Sequence, residues 1–383
     1  VCNLSYAQTD WYIYQQQCPL YNAPGLPISW NKNQYKEGTN EYVAVRPELK
    51  KQIEELYRKH PEEARDSFGE DPFEVKNILK YWVFSEKPEF HVIPTDTINI
   101  HIDKDALLRS GIMLPKTIRH LKGEDLKDAI PDKLYIPLTD IRMLTKVDLL
   151  MLEMLANCNW ERPLYLAISV GSVSKLKFDN YFVQEGLAFR FTPFDYKKWG
   201  DVGENRLYAV DVERLYNNVM NRYKYGGLDT PGLYLDETTL RTCWYHRRLF
   251  AQLAKELIAQ GDNERAKKVL AYAEQVIPGY NVPETHESGS YDIATAYAAL
   301  GEKTKAVTLA VHLIAEAEDY INWAFSLKGN RIEMVRNDCI YKFWQWNQYN
   351  ELLKKIDGEK YKESNRRFEE KYALFAPTMN YKN

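Results

Sequence analysis

A group of histidine and aspartate side chains between positions 91 and 105 offers metal-binding chemistry. The five candidates gather around a predicted strand: His91, Asp96, His101, Asp103 and Asp105. His101 and Asp103 would lie on one face of that strand, and imidazole and carboxylate groups are common ligands of zinc and of harder cations. Asp103 also comes just before an apolar run that starts at Ala106, where aspartate commonly caps a helix. We therefore predict helix capping here and assign no metal site.

Signature motifs of catalysis and phosphate binding are absent from the sequence. No GxGxxG follows a strand, and neither a GxxxxGK motif followed by Ser or Thr, nor GxSxG, nor HExxH occurs. His286-Glu287 lacks a second histidine four residues after the first. The sequence therefore assigns no catalytic residue and no cofactor.

Aromatic residues are frequent, with 28 Tyr and 9 Trp. Near position 344 the helical period places Phe343 and Trp346 on one face and Trp344 with Gln348 on another. We expect the first face to be core and the second to contact a protein partner, together with the loop Gly279 to Ser288. The alternative is that the next helix buries Trp344 and the loop is inert.

The composition is typical of a folded protein, and the charge pattern is not that of a nucleic-acid-binding protein. Hydrophobic residues make up 45% and charged residues 27%, with a formal net charge of -3. No apolar run approaches the roughly 18 residues that span a bilayer. The five cysteines show no CxxC spacing, so we expect buried thiols, with only Cys2 and Cys18 close enough in sequence to suggest a bridge. The start on a strand-like Val1 to Ser5 without Met is typical of an excised domain.

The first half of the chain has α/β patterning. The predicted strands are Val1 to Ser5, Tyr42 to Val45, Thr97 to Ile102, Leu134 to Pro137, Leu164 to Val170 and Leu187 to Phe191. The predicted helices are Pro47 to His60, Pro72 to Tyr81 and Lys146 to Asn157. The continuous apolar run from Pro163 to Ile168 is typical of a strand buried on both faces. We therefore predict, for residues 1–205, an α/β domain with a mainly parallel sheet and flanking helices.

The second half, residues 206–383, is predicted to be all-α and built from tetratricopeptide-like helical repeats. The matching positions follow the repeat order of aromatic, large, small and proline residues: Phe250, Leu253, Ala254, Leu257, Ala266, Leu270, Ala273 and Pro278. Gly261-Asp262 is expected to make the turn and cap the second helix. A second copy matches at Ile293, Ala294, Tyr297, Gly301 and Ala306. Further helices on both sides are expected to close the stack.

Three segments together resemble a known family. They are Asn3-Leu4-Ser5 leading into Thr9-Asp10-Trp11-Tyr12-Ile13, then Asn159-Trp160-Glu161-Arg162-Pro163-Leu164-Tyr165, and then Glu185-Gly186-Leu187-Ala188-Phe189-Arg190. They look like the C-terminal part of multi-pass bacterial proteins of the transmembrane-protein-260-like group, also called domain of unknown function 2723. The resemblance covers roughly residues 1 to 193.

This resemblance implies a relation to protein O-mannosyltransferases, whose acidic catalytic residues would lie in a membrane-embedded portion that this chain lacks. It implies a periplasmic location and a tether to the inner membrane. No catalytic residue carries over to this sequence.

The residues of these motifs can also be interpreted from their positions in the predicted strands and helices, without the resemblance. Asp10, next to Trp11, lies where a strand gives way to a helix, which suits either ligand binding or a helix cap. Asn159, Trp160 and Arg162 precede a strand, and fixing that turn is the leading interpretation. The candidate binding residues are therefore Asp10, Trp11, Asn159, Trp160, Arg162 and Trp344.

Three functional hypotheses follow. The preferred one is a non-catalytic, protein-interaction module whose helical repeats bind protein partners and whose α/β part docks on the membrane portion of the same polypeptide. The second is a free-standing envelope enzyme, metal-dependent or using the carboxylates near Asp96 to Asp105. The third is a structural scaffold in an envelope complex.

Overall fold

A computed structural model describes residues 28–35, 38–169, 176, 178–202, 208–327 and 331–379. The chain divides into two compact units, Val1–Asp211 and Val212–Asn383. The predicted boundary between residues 205 and 206 lies outside the described residues, as do the first predicted strand, Asp10, Trp11, Cys2 and Cys18. The described cysteines Cys158, Cys243 and Cys339 are buried thiols, as predicted.

The first unit contains three small sheets. Its strands are β1 (Tyr42–Val45), β2 (Val92–Ile93), β3 (Thr97–His101), β4 (Lys133–Pro137), β5 (Met143–Thr145), β6 (Tyr165–Ala167), β7 (Phe182–Gln184), β8 (Ala188–Phe191) and β9 (Ala209–Val210). They pair in the orders β2-β1-β5, β3-β4 and β6-β8-β7-β9. Among the described strands β1 pairs with β2, and β7 with β9, in parallel, whereas the other pairings are antiparallel.

The prediction of a mainly parallel sheet is therefore wrong for the described residues, because the sheets are mixed. Parallel neighbours need a long crossover, whereas residues 185–187 alone join β7 to β8. The expectation of a strand buried on both faces near Leu164 is also wrong. β6 is an edge strand on which Tyr165 is exposed.

The first unit also contains helices. They are α1 (Lys32–Tyr35), α2 (Leu49–Lys59), α3 (Pro61–Phe68), α4 (Val75–Ile78), α5 (Lys104–Arg109), α6 (Gly123–Ala129) and α7 (Lys146–Asn157), and α4 continues as a π-helical turn, Leu79–Val83. Short 3-10 turns occur at Pro88–Phe90 and Asp179–Tyr181. α7 begins at a capping box formed by Thr145 and Asp148. Its apolar residues Leu149, Leu150, Leu152 and Leu155 join the core of the unit.

Over the described residues, the second unit contains helices joined by loops and no strand. Its helices are α8 (Val212–Asn217), α9 (Glu237–Ala259), α10 (Asn263–Val276), α11 (Ser290–Ala299), α12 (Lys303–Ser326), α13 (Arg331–Met334), α14 (Arg336–Ile356) and α15 (Gly358–Met379), and α8 continues as a π-helical turn, Asn218–Arg222. α9 packs against α10, α11 against α12, and α14 against both α12 and α15.

The packing of α9 and α10 follows from small residues at the helix contact. Ala254 on α9 and Ala266 and Ala273 on α10 are buried. Gly261 adopts a φ of 80° in the turn, and Asp262 accepts a hydrogen bond from the Arg265 backbone N–H at 3.1 Å. The predicted turn and cap are confirmed, while the assignment of the helices to the tetratricopeptide class stays a prediction.

In the described part of the chain, helices that are both long and apolar enough to span a bilayer are absent.

Candidate functional site

The turn after α7 carries two of the predicted site residues in an uncommon backbone conformation. Asn159 has a φ of 47° and Trp160 a φ of 60°. Asparagine adopts this left-handed region readily, but a bulky aromatic residue does so only when its surroundings hold it there. Trp160 must therefore be fixed by its side chain.

The contacts of Trp160 show what fixes it. Its side chain is buried, with 7% of its surface exposed, and its Nε1–H donates to the His101 carbonyl oxygen at 2.8 Å. Its ring stacks on Phe191 with a centroid distance of 6.2 Å. Trp160 thus ties the turn to the end of β3 and to β8, which matches the interpretation that this segment fixes its turn.

The two described motif segments meet in one sheet. Tyr165 on β6 pairs with Arg190 on β8, and the Tyr165 hydroxyl donates to Glu185 Oε2 at 2.8 Å. Arg190 is only 3% exposed, and its Nη2 donates to the Ser110 carbonyl at 3.0 Å and to Ser110 Oγ at 2.8 Å. Glu185 and Arg190 are both buried and lie 3.6 Å apart. These polar groups satisfy one another, so their contacts give them a structural role.

Beside the Asn159 turn lies a cleft of about 260 Å³. Its polar lining is Asp71, Glu74, Lys76, His101, Asp103, Lys133 and Asn159. Lys133 Nζ lies 2.6 Å from Asp71 Oδ2, and Lys76 Nζ donates to Asn159 Oδ1 at 3.1 Å. The cleft is slightly smaller than typical ligand pockets, which begin at about 300 Å³. Its mixture of charges suits a small polar molecule.

The electrostatics of this cleft are dominated by the Asp71–Lys133 pair. Partial burial acts to raise the pKa of Asp71, but hydrogen bonds from Lys133, the Phe73 backbone and Asn99 outweigh it, so the pKa lies below its usual value. The hydrogen bond to Asp71 raises the pKa of Lys133. Both groups are therefore charged at neutral pH, and neither is poised to exchange a proton.

Arg162 does not reach this cleft. It lines a separate crevice of about 10 Å³ with Ser110 and Arg190. A space of that size holds at most one water molecule. Asn159 and Trp160 therefore line one cleft, and Trp160 also lines the separate crevice of Arg162.

The histidine and aspartate side chains considered for metal binding do not form one cluster, and the aspartates have other structural roles. Asp103 accepts a hydrogen bond from the Ala106 backbone N–H at 2.9 Å, which confirms the predicted cap of α5. Asp96 pairs with Lys50 at 3.0 Å and Asp105 with Lys127 at 2.8 Å. Over the described ranges, three or more His, Cys, Asp or Glu side chains arranged to hold a metal ion do not occur.

In the second unit, the predicted loop and the predicted helix face meet in a cluster of rings. We call this cluster the aromatic surface; it consists of His286, Tyr291, Tyr341, Trp344 and Tyr349. Trp344 is 49% exposed and Tyr341 is 43% exposed, and their rings stack at 5.6 Å with an angle of 13°. The alternative in which the next helix buries Trp344 is therefore wrong. On the opposite face of α14, Phe343 and Trp346 are buried as predicted.

His286 connects the loop to α14. Its Nδ1 lies 2.9 Å from the Tyr349 hydroxyl, and its ring lies 5.6 Å from that of Trp344. Burial lowers the pKa of His286, and the nearby Lys342 and Arg248 act in the same direction, whereas Glu287 and Asp292 oppose them. Burial also raises the pKa of Tyr349. At neutral pH the contact therefore joins an uncharged imidazole to a protonated phenol.

The loop itself is anchored from inside the unit by Arg247. This side chain is 3% exposed, and its guanidinium donates to the carbonyl oxygens of Ile277, Val282 and Pro283 at 3.0, 2.6 and 2.7 Å. Burial lowers the pKa of Arg247 to about 10, so it stays charged at neutral pH. Because these carbonyls belong to the loop and its approach, the loop is a braced element whose geometry is defined.

Sequence reasoning found Trp344 and the loop but missed His286 and Tyr341 as their neighbours. A signal for Tyr341 was present, since it precedes Trp344 by three residues and therefore shares its helix face. No local signal pointed to His286. Its ring contacts that of Tyr341 on α14, which lies 55 residues further along the chain. Asp10 and Trp11 lie outside the described residues.

Comparison with known proteins gives one family. A protein-family model described as TMEM260-associated domain 2 matches residues 1–213. That range covers more than half of the 383 residues and contains all three motif segments. Neither the curated proteins nor the solved structures contain a match to the chain.

Proposed function

Because the chain belongs to the family described as TMEM260-associated domain 2, we propose that it is a non-catalytic, protein-binding module of a multi-pass, glycosyltransferase-like membrane protein. In this proposal the first unit docks on the membrane portion of the same polypeptide. The second unit, a tetratricopeptide-like stack, holds acceptor proteins or complex partners on the periplasmic side of the inner membrane.

The observation that carries the proposal is the aromatic surface. Half-exposed Tyr341 and Trp344 stack on each other and are backed by His286, which a braced loop holds in place. Such rings offer a large contact area at low conformational cost, and tryptophan and tyrosine are enriched among residues that dominate binding energy. A rigid pair of this kind supports a role in protein recognition.

The partner contact is tested by site-specific photo-crosslinking in the native organism. We would replace Trp344 with a benzophenone-bearing amino acid and compare it with the same replacement at Tyr234, which is 92% exposed but lies outside the aromatic surface. We expect a discrete crosslinked protein from position 344 and none from position 234. Equal labelling from the two positions, or no labelling from either, would contradict the proposed surface.

The membrane tether is tested with an antibody against this chain. We expect the antibody to detect a species larger than 383 residues that resists alkaline carbonate extraction and is cleaved by protease added to the periplasmic side. A species of the size of this chain in the soluble fraction would count against the tether.

We also expect the isolated chain to show no sugar transfer or hydrolysis, and turnover that persists after rigorous purification would overturn the non-catalytic assignment.

A further inference from the structure

A second ring-lined space in the helical unit lies where the segment after α8 meets α10. The chain leaves the π-helical turn at Arg222 and runs through Tyr223 to Thr230 before α9 begins. This segment, the π-helical turn and α10 line an open pocket of about 450 Å³. We call it the tyrosine pocket; the rings that line it are those of Tyr223, Tyr225 and Tyr272, and its charged lining is Lys224 and Asp229.

The rings of the tyrosine pocket stand at steep angles to one another. Tyr225 and Tyr272 have centroids 6.0 Å apart and an interplanar angle of 80°. Behind them, His246 lies 5.8 Å from Tyr223 and 5.4 Å from Tyr225, close to perpendicular to both. Several differently oriented aromatic walls around one space are the arrangement with which proteins bind ammonium groups, because each ring face carries negative potential.

The ring cluster carries no charge of its own at neutral pH. Burial lowers the pKa of His246, so its imidazole is uncharged, and burial raises the pKa of Tyr225, so its phenol keeps its proton. The Tyr225 hydroxyl donates to the Val219 carbonyl oxygen at 2.7 Å. A cation in the pocket would therefore meet aromatic surface without a competing positive charge behind it.

Asp229 is held at the pocket by its backbone. The turn before it contains Gly226 and Gly227, whose φ values of 62° and 73° disfavour other residues. On its other side, the loop that follows α10 braces the segment. The amide nitrogen of Asn281 donates to the carbonyls of Leu228 and Thr230 at 2.7 and 2.6 Å, and the Tyr280 hydroxyl donates to the Asp229 carbonyl at 2.7 Å.

The Asp229 carboxylate has no ion-pair partner among the described residues. The same is true of Lys224, which is exposed and is the one cation among the described side chains that line the pocket. Asp229 therefore offers a negative charge beside the rings, whereas the positive charge of Lys224 opposes the binding of a cation. The two charges have opposite effects on a charged ligand, since Asp229 attracts a cation and Lys224 repels it.

We propose that the tyrosine pocket binds an organic cation of the alkylammonium or guanidinium class, the chemistry carried by choline-like molecules and by lysine and arginine side chains. The aromatic walls supply the cation–π attraction, and Asp229 supplies the countercharge. This site is separate from the aromatic surface, and its failure would leave crosslinking from position 344 unaffected.

The test is calorimetric titration of the whole chain with choline and with its uncharged isostere 3,3-dimethylbutanol. We expect choline to bind with a Kd near 1 mM, which corresponds to about 4 kcal/mol, and the isostere to bind at least about tenfold more weakly. Nα-acetyl-lysine methylamide and Nα-acetylarginine methylamide, titrated in parallel, show whether a side-chain cation is preferred to a free one. Equal binding of choline and the isostere, or no binding of any of the three cations, overturns the proposal.

Charge variants add a test of sign. Asp229→Asn should weaken choline binding about fivefold, the effect of one charge about 4 Å away in water, and Lys224→Ala should strengthen it by a smaller factor. Both side chains are exposed, so we expect both variants to fold, which circular dichroism would check. The opposite pair of signs would mean that Asp229 and Lys224 do not act on the bound cation as proposed and would overturn the proposal.

Discussion

Trp160 and Trp344 are both tryptophans of predicted sites, but the two regions use them in opposite ways. Trp160 is 7% exposed, donates a hydrogen bond to the His101 backbone and is held in a left-handed conformation. Trp344 is 49% exposed, and its ring packs against those of Tyr341 and His286. The first belongs to a family motif, whereas the second does not.

The difference indicates what the motifs encode. In the first unit, the motif residues Trp160, Tyr165, Glu185 and Arg190 are joined to one another or to nearby backbone, so they specify a sheet and a turn. In the second unit, the half-exposed rings leave surface available for another molecule. The motifs therefore describe architecture in the first unit, whereas the exposed rings of the second unit are where we propose that a partner binds.

The largest expected effect is on stability at Trp160. We expect Trp160→Ala to lower the free energy of unfolding by about 3–5 kcal/mol, because it removes a buried indole and leaves a cavity. Urea unfolding followed by circular dichroism measures the loss, and hydrogen exchange localises it to the first unit. Trp160→Phe keeps a ring beside Phe191 and should lose less than half as much. A loss below about 1 kcal/mol for the alanine variant would mean that Trp160 does not fix the turn.

A smaller effect is expected where α9 and α10 touch. Ala266 is fully buried at this contact, so Ala266→Leu should destabilise the second unit by about 1–3 kcal/mol through overpacking. Ala273→Leu should act in the same direction. Ala271→Leu on the exposed face of the same helix is the matched control, and we expect little change from it. Thermal melts that shift equally for the buried and exposed variants would argue against close helix packing.

The two units should also lose stability in different pH ranges. In the second unit, burial lowers the pKa of His286 and His246 below the usual 6.5, so the unfolded chain binds these protons more strongly. Stability there is full above pH 6.5 and falls as the pH decreases below it. In the first unit, the lowered pKa of Asp71 gives stability that is present above its usual 3.8 and is lost below that value.

Denaturant midpoints between pH 8 and pH 5, with residue-level hydrogen exchange, would check this order. His286→Gln should reduce the dependence near pH 6, whereas Asp71→Asn should leave it unchanged. Loss of first-unit protection before second-unit protection on acidification would reverse the expected order.

The smallest expected change in stability is at Trp344. Because its ring is half-exposed, Trp344→Ala should cost about 1 kcal/mol or less, while partner capture at the aromatic surface should fall sharply. The comparison with Trp160→Ala is measured in the same unfolding assay. A cost at Trp344 equal to that at Trp160 would show that the aromatic surface is structural and would favour the scaffold hypothesis.

Local patterns predicted much of the secondary structure. The bounds of β1 and α7 agree with the prediction, since a strand of alternating burial and a helix with a capping box both carry signals within a few residues. Pro72 to Tyr81 was predicted as one α-helix, but the structure has the short α4 followed by a π-helical turn. A π-helical turn depends on side chains that pack around it, and no local sequence pattern predicts it.

The sequence by itself determined that the first half mixes strands with helices and that the second half is helical, because periodicity along each segment carries that information. It also determined the turn at Gly261-Asp262, the cap at Asp103 and the two faces of α14, because each depends on neighbours within about one helical turn. Only the tertiary structure decided the strand directions, the left-handed turn at Trp160 and the meeting of His286 with Trp344. Each of these joins segments that are far apart in the chain. Whether such segments meet depends on how the cores pack, so residue spacing alone does not predict their contact.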